Sequence, residues 1–296
     1  MQVQRSSPRG VLASLLASVL FGGIFYLAAV LSSSAEVVFA WRVLATFFCY
    51  AVALLHPAVR QALRVYGRRL RARWWMLPLA LLLATNVAVQ LWLFMWAPMN
   101  GHGLDASLGY LLLPITLVLC GRFLMRAHVS RLQWAVVALA AIAVTVKLAA
   151  TPQLSWVTLV ICVPYAIYFV LRQRFGLDGP IVFGVEIAMM VPVAMVFLLF
   201  AEPGPLPGAE LAGLLAMGFA SAAAMTLYLG ASSLLSMPVF GLLGYVEPVL
   251  LVIASLVLGE RMQGADVLVY GILALALAVL AIDGFGRSRA GVGARD

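Results

Sequence analysis

The chain has 296 residues, of which 65% are hydrophobic and 10% charged, and a formal net charge of +8. Soluble domains carry roughly 45–50% apolar and about 25% charged residues, so this chain has too little polar surface to meet water on all sides. Its apolar residues run in long blocks rather than alternating, which also excludes a β-barrel and leaves an all-α, polytopic membrane protein.

Ten candidate spans follow one another, near 10–31, 36–55, 75–97, 105–123, 132–150, 154–172, 181–201, 210–231, 238–258 and 265–284. The first begins after Arg5 and Arg9, and its apolar stretch exceeds the 7–15 residues of a typical signal core, so it is read as a retained span. The second carries Arg42. The polar stretch 56–73, the longest between spans, is read as a loop rich in arginine. The third span places Asn86 and Gln90 one helical turn apart on one face, followed by Trp92 and Trp96. Tyr110 and Pro114 lie in the fourth, Glu186 in the seventh, and Tyr245, Glu247 and Pro248 in the ninth.

Metal and cofactor chemistry find no support in this pattern. Cys49, Cys120 and Cys162 fall inside separate spans, and His56, His102 and His128 fall in separate loops, without ligand spacing. No Walker, dinucleotide-binding or zinc-protease motif occurs, so the chain is expected to use no cofactor and to be no enzyme.

Basic residues set the topology. With the N-terminus inside, all but three of the 19 Lys and Arg fall in inner segments, the exceptions being Lys147 and Arg261 outside and Arg42 within a span. This positive-inside bias predicts both termini in the cytoplasm. The basic character is then topological, and nucleic acid is not an expected partner. The acidic residues Glu202, Glu210, Glu260 and Asp266 fall in outer loops, in keeping with this arrangement.

The chain reads as a duplication. Leu108-Gly109-Tyr110, with Pro114 just beyond, returns as Leu243-Gly244-Tyr245 with Pro248, and Val38-Phe39-Ala40-Trp41-Arg42 returns as Val182-Phe183-Gly184-Val185-Glu186. Shortening of the loop 56–73 to 202–209 accounts for the different spacings of the two matches. Two repeats of five spans, 1–150 and 151–296, are therefore predicted. An odd span number forces the second copy to enter from the opposite side. Inverted repeats of this kind are a common plan of secondary transporters, with the solute near the midplane between the halves.

Arg42, Glu186 and Glu247 are the ionisable residues deepest in the spans. Such groups should face the bundle interior, a partner or water. Arg42 and Glu186 occupy equivalent repeat positions with opposite charge, and each is a candidate for solute binding or gating, with a structural ion pair as the alternative. Asn86 and Gln90 either hydrogen-bond a solute or join helices. Trp96 reads as an interfacial anchor. Tyr110 and Tyr245 are candidate cavity walls, and Pro114 and Pro248 candidate hinges, since proline removes a backbone donor. Glu247 is the candidate proton carrier: a carboxyl in low dielectric can load and release a proton as a cavity switches sides.

A family resemblance rests on Phe21-Gly22, Arg42, Leu91-Trp92-Leu93-Phe94-Met95-Trp96-Ala97, Asp105-Ala106-Ser107-Leu108-Gly109-Tyr110, Gln133-Trp134, Glu186, and Gly259-Glu260 with Gly264-Ala265-Asp266. Over 10–284 the chain resembles the drug/metabolite transporter superfamily, in particular the RarD branch of EamA-type permeases. It departs from that pattern at Phe25, Gln90, Leu113 and Arg126-Ala127. The resemblance implies a permease of the bacterial cytoplasmic membrane, monomeric or homodimeric, that exports a small amphipathic organic solute, with protons as a candidate driving ion. Two rival readings are an intramembrane enzyme and an embedded binding subunit with no transport of its own.

Overall fold

The computed structural model describes residues 8–125, 131–150, 155–177, 179–201, 207–235, 243–244, 246–262, 264–276 and 278. They form helices α1 (Pro8–Val30), α2 (Ala35–Ala53), α3 (Pro57–Ala72), α4 (Met76–Met99), α5 (Gly103–Met125), α6 (Arg131–Ala150), α7 (Trp156–Cys162), α8 (Pro164–Phe175), α9 (Pro180–Phe200), α10 (Gly208–Leu234), α11 (Val246–Val257) and α12 (Gly264–Ala276). No strand occurs among the described residues. Tyr245 and both termini lie outside them.

Among the described residues, six helices are long and apolar enough to cross a membrane, counting α7 and α8 as one. The two parts of α5, Gly103–Leu113 and Ile115–Leu124, meet at 45° and make a seventh span if taken together. Trp134–Lys147, Val246–Val257 and Gly264–Ala276 are shorter apolar helices. Large apolar side chains stand exposed around the bundle, among them Leu12, Val19, Phe48, Leu82, Leu199, Phe200 and Val257. That surface is compatible with hydrocarbon rather than water.

Local chemistry explains the ends and breaks. The Ser34 hydroxyl accepts from the Val37 N–H to start α2, and Gly176 closes α8 in the left-handed region, where only a residue without Cβ sits freely. Pro164 cannot donate to the Val160 carbonyl one turn earlier, and the helix breaks there into α7 and α8. The stretch 56–73, expected as a loop, is instead mostly the helix α3. His56 Nδ1 accepts from the Ala58 N–H, Pro57 supplies the fixed φ suited to a first turn, and Tyr66 and Leu70 dock on the bundle. The helix was hidden because arginines interrupt its apolar stripe.

Packing crosses the middle of the chain repeatedly. α1 packs on α10 and α11, while α7 and α8 pack on α4 and α5. α2 meets α10 as α9 meets α4, and α2 also packs on α9 and α5 on α11. These contacts form a set that exchanging the two halves of the chain leaves unchanged. Aromatic and aliphatic side chains such as Phe25, Leu93, Ile161, Leu214 and Leu251 fill the centre.

Close approach depends on small residues. A Cβ on Gly109 would lie 2.8 Å from the Ile161 Cβ and 3.1 Å from the Thr158 carbonyl oxygen, whereas one on Gly23 would meet nothing within 4 Å. Gly109→Val is therefore expected to force α5 off α7 and cost about 1–3 kcal/mol by overpacking, read as an earlier thermal transition of the purified protein. Gly23→Val should leave the transition in place; equal shifts in both variants would refute this packing account.

Candidate functional site

The centre of the bundle gathers side chains from both halves around Arg42. This arginine is 3% exposed. Its Nε donates to Ser221 Oγ on α10 at 2.7 Å, its Nη1 approaches Met95 Sδ on α4 at 3.8 Å, and its guanidinium stands 5.3 Å from the Phe94 ring centre. Among the described residues no carboxylate is in ion-pair contact with it. Tyr110 on α5, Tyr165 on α8 and Glu247 on α11 lie within its electrostatic range, and Glu247 also within that of Tyr228 on α10. Glu247 is half-buried.

An aromatic wall surrounds the guanidinium. Phe94 meets Tyr110 edge-on at 5.8 Å, and Tyr110 meets Tyr165 at 6.4 Å. Phe21 bridges Phe94 and Tyr228 at 6.4 and 6.3 Å. An apolar enclosure with one buried cation is suited to an amphipathic solute: the rings cover its body and the guanidinium takes an anionic or carbonyl group with paired N–H donors.

Asn86 and Gln90 face the break between α7 and α8. Gln90 Nε2 donates to the Val160 carbonyl at 2.8 Å, and Asn86 Nδ2 to the Pro164 carbonyl at 3.0 Å. The Val160 carbonyl is the acceptor that Pro164 leaves without a helical donor, so Gln90 repairs the break from a neighbouring helix. The other amide oxygens, Asn86 Oδ1 and Gln90 Oε1, are buried without a hydrogen-bond partner among the described residues. Both alternatives for this pair thus have a physical basis: the amide nitrogens join helices while the oxygens stay open to a donor.

Glu186 belongs to a second cluster and does not pair with Arg42. Its Oε2 accepts from Tyr168 Oη at 2.8 Å and from Arg172 Nη1 at 3.1 Å. Arg172 also donates to Tyr168 Oη, to the Leu177 carbonyl at 3.0 Å and to the Gly179 carbonyl at 3.2 Å. Glu186 and Arg172 are 2% and 5% exposed. Arg172 was grouped with the inner surface charges in the sequence. Its spacing of one turn from Tyr168 is the signal that would have drawn it inward. Tyr66 of α3 lies within electrostatic range of this pair; burial first, and then the Glu186 carboxylate, raise its phenol above the ordinary value and keep it neutral.

Aromatic stacking and polar caps close the other side. Trp96 stacks on Trp92 at 5.7 Å and on His102 at 5.4 Å, and tilts against Trp156 at 5.3 Å, so the expected interfacial anchor is part of a packed stack. Glu260 accepts from the Gly103 and Leu104 N–H groups at 2.6 and 2.8 Å, capping α5 from the other half of the chain. Lys147 pairs with Asp266 at 2.5 Å. Leu104, Lys147, Glu260 and Asp266 line a cavity of about 290 Å³ with Asp105, Arg261 and Tyr270. Glu260 and Asp266 belong to the motifs that carry the family resemblance, but the sequence does not show their partners.

Of the remaining candidates, Pro114 falls between the two parts of α5 that meet at 45°, and Pro248 sits in the first turn of α11 rather than within a continuous helix. There the missing N–H would have had no helical acceptor.

No family model matches the chain. A protein of Pseudomonas aeruginosa described as chloramphenicol-sensitive protein RarD is 37% identical over 92% of this chain and 93% of its own length. An uncharacterised transporter of Pasteurella multocida is 32% identical over 94% of this chain and 97% of its own. Protein RarD of Salmonella typhimurium is 28% identical over 94% of this chain and 96% of its own. A solved crystal structure superposes with a TM-score of 0.58 at 17% identity, covering 93% of this chain and 97% of that one, and so shares the fold. A chain of apolar helices that matches these transporters along nearly its whole length belongs to the RarD family of permeases.

Proposed function

We propose that the chain is a secondary exporter of a small amphipathic organic solute with an anionic end, working by alternating access in the bacterial cytoplasmic membrane. Ten spans form two inverted repeats, 1–150 and 151–296, with both termini in the cytoplasm. The helix contacts that survive exchange of the two halves support this plan, because a carrier of two equivalent halves reverses its opening when they trade conformations. Arg42 carries the reading: a buried guanidinium with no carboxylate in ion-pair contact among the described residues, enclosed by aromatic rings and reached from both halves, is suited to an anion that comes and goes. The solute lies between Arg42 and the open amide oxygens of Asn86 and Gln90, walled by Tyr110, with Tyr245, its match in the repeated sequence, as a candidate for the same role. Glu186 holds the inner side, Pro114 and Pro248 flank the moving segments, and Glu247 carries the driving proton.

Untargeted metabolite profiling of cells with and without the gene, inside and outside, tests the function. The expected result is an anionic amphipathic compound that builds up inside when the gene is absent and outside when it is overexpressed. No change in any solute, together with no flux in liposomes holding the pure protein, would favour a binding subunit. For the topology, a periplasmic reporter fused after Lys147 should be active and one after Arg73 silent; equal activity at both would refute the inverted plan.

A further inference from the structure

We propose that α3 is a binding site for anionic phospholipid headgroups, holding this helix on the inner membrane surface. The site rests on three faces of one helix. The first packs on the bundle through Tyr66, which is 6% exposed, and Leu70. The second presents Arg60, Arg64, Arg68 and Arg71, recurring every three or four residues along one stripe and all exposed. The third presents Ala58, Ala62, Val65 and Ala72, also exposed, a shallow apolar strip that Arg69 interrupts.

Charge complementarity selects the occupant. No Asp or Glu occurs in the chain between Glu36 and Asp105, and among the described residues no acidic side chain is in ion-pair contact with the arginines of α3. Among the described residues their contacts are slight, such as a bond of 3.5 Å from Arg60 Nη2 to the Leu55 carbonyl. Among the described residues no carboxylate neutralises these guanidinium groups, and phosphate esters match their forked donors.

Placement favours a lipid over a soluble polyanion. α3 is tied directly between two membrane-length helices, α2 and α4, so it cannot leave the membrane surface. Leu55 before it is 77% exposed and Trp74 after it is 85% exposed, which brackets the arginines with apolar side chains. Tryptophan is suited to headgroup depth. A helix with an apolar strip, an arginine stripe and aromatic ends is the pattern of an interfacial segment attracted to anionic lipid. The occupied site would also hold Tyr66 over the Arg172–Glu186 pair, within whose electrostatic range it lies.

Quenching of Trp74 tests this independently of transport. The protein is placed in phosphatidylcholine nanodiscs containing a small fraction of acyl-brominated lipid, either phosphatidylglycerol or phosphatidylcholine. Trp74 quenching is read as the difference between wild type and Trp74→Phe. The expected result is quenching that needs at least about fivefold less brominated phosphatidylglycerol, since one basic residue near an anionic surface alone gives about that factor. The preference should fall to parity in Arg64→Gln/Arg68→Gln/Arg71→Gln, fall partway in Arg64→Gln alone, and shrink at about 1 M salt, where the screening length is about 3 Å. Equal quenching by both lipids in wild type would overturn the proposal. So would loss of the preference on adding millimolar inorganic phosphate or a soluble oligonucleotide at constant ionic strength, which would assign the stripe to a soluble anion. Because the readout requires no solute flux, failure here leaves the permease reading standing, and failure of that reading leaves this one standing.

Discussion

Replacing Arg42 with alanine should abolish solute transport while membrane abundance stays normal. The guanidinium is held by Ser221 Oγ and faces Phe94, so it is positioned before the solute arrives. Removing one partner of a buried hydrogen-bonded charge pair typically costs about 2–5 kcal/mol, equivalent to at least about thirtyfold in affinity. Arg42→Lys should give an intermediate loss, because a lysine keeps the charge and loses the planar fork. Uptake into proteoliposomes of the solute identified by profiling, with immunoblots for abundance, measures both. An Arg42→Ala protein that transports like wild type would remove the residue from the solute site. Since Glu186 is engaged by Arg172 and Tyr168, Glu186→Gln should not rescue Arg42→Ala.

The second large effect is expected at Glu247. It shares electrostatic range with Arg42 and Tyr228 and stands at the start of α11, beside Pro248. In the proposed repeat its counterpart beside Pro114 is Leu113, which places the carboxyl in one half only. A single carboxyl at the meeting of the halves can carry a proton to whichever side the cavity opens. Glu247→Gln imitates the protonated form. Accumulation against a gradient should disappear, while exchange of solute down its own gradient persists. A Glu247→Gln protein that still concentrates solute with an unchanged dependence on the pH gradient would end the coupling proposal.

The long apolar blocks made the spanning helices legible, because hydrocarbon demands about 20 apolar residues per helix and forbids unpaired backbone. The burial of Arg42 was legible for the same reason: a charge in such a block has nowhere else to go. α3 was not, since a surface helix shows its apolar stripe only at helical spacing and five arginines mask it. The break at Pro164 was missed within an uninterrupted apolar run, as hydropathy is blind to a proline's lost donor. The partners of Arg172 and Glu260 stayed hidden for a different cause. Both lie near span ends, where charge is ordinary, and only tertiary folding shows that one is buried against Glu186 and the other caps α5. Partner choice across the bundle has no local signature.

The bond from Gln90 Nε2 to the Val160 carbonyl restricts what position 90 can become as specificity diverges. Any replacement must present a donor at that point, or a carbonyl is left stranded in a proline-broken helix at a penalty of about 1–3 kcal/mol. Glutamate, nearly the same shape, offers only acceptors when ionised and is excluded; leucine is excluded for want of any polar atom. Selection for new solutes can therefore vary Tyr110 or the neighbouring rings more freely than Gln90, whose amide nitrogen is committed to the Val160 carbonyl. Libraries aimed at altered substrate range should hold residue 90 constant and randomise the aromatic wall.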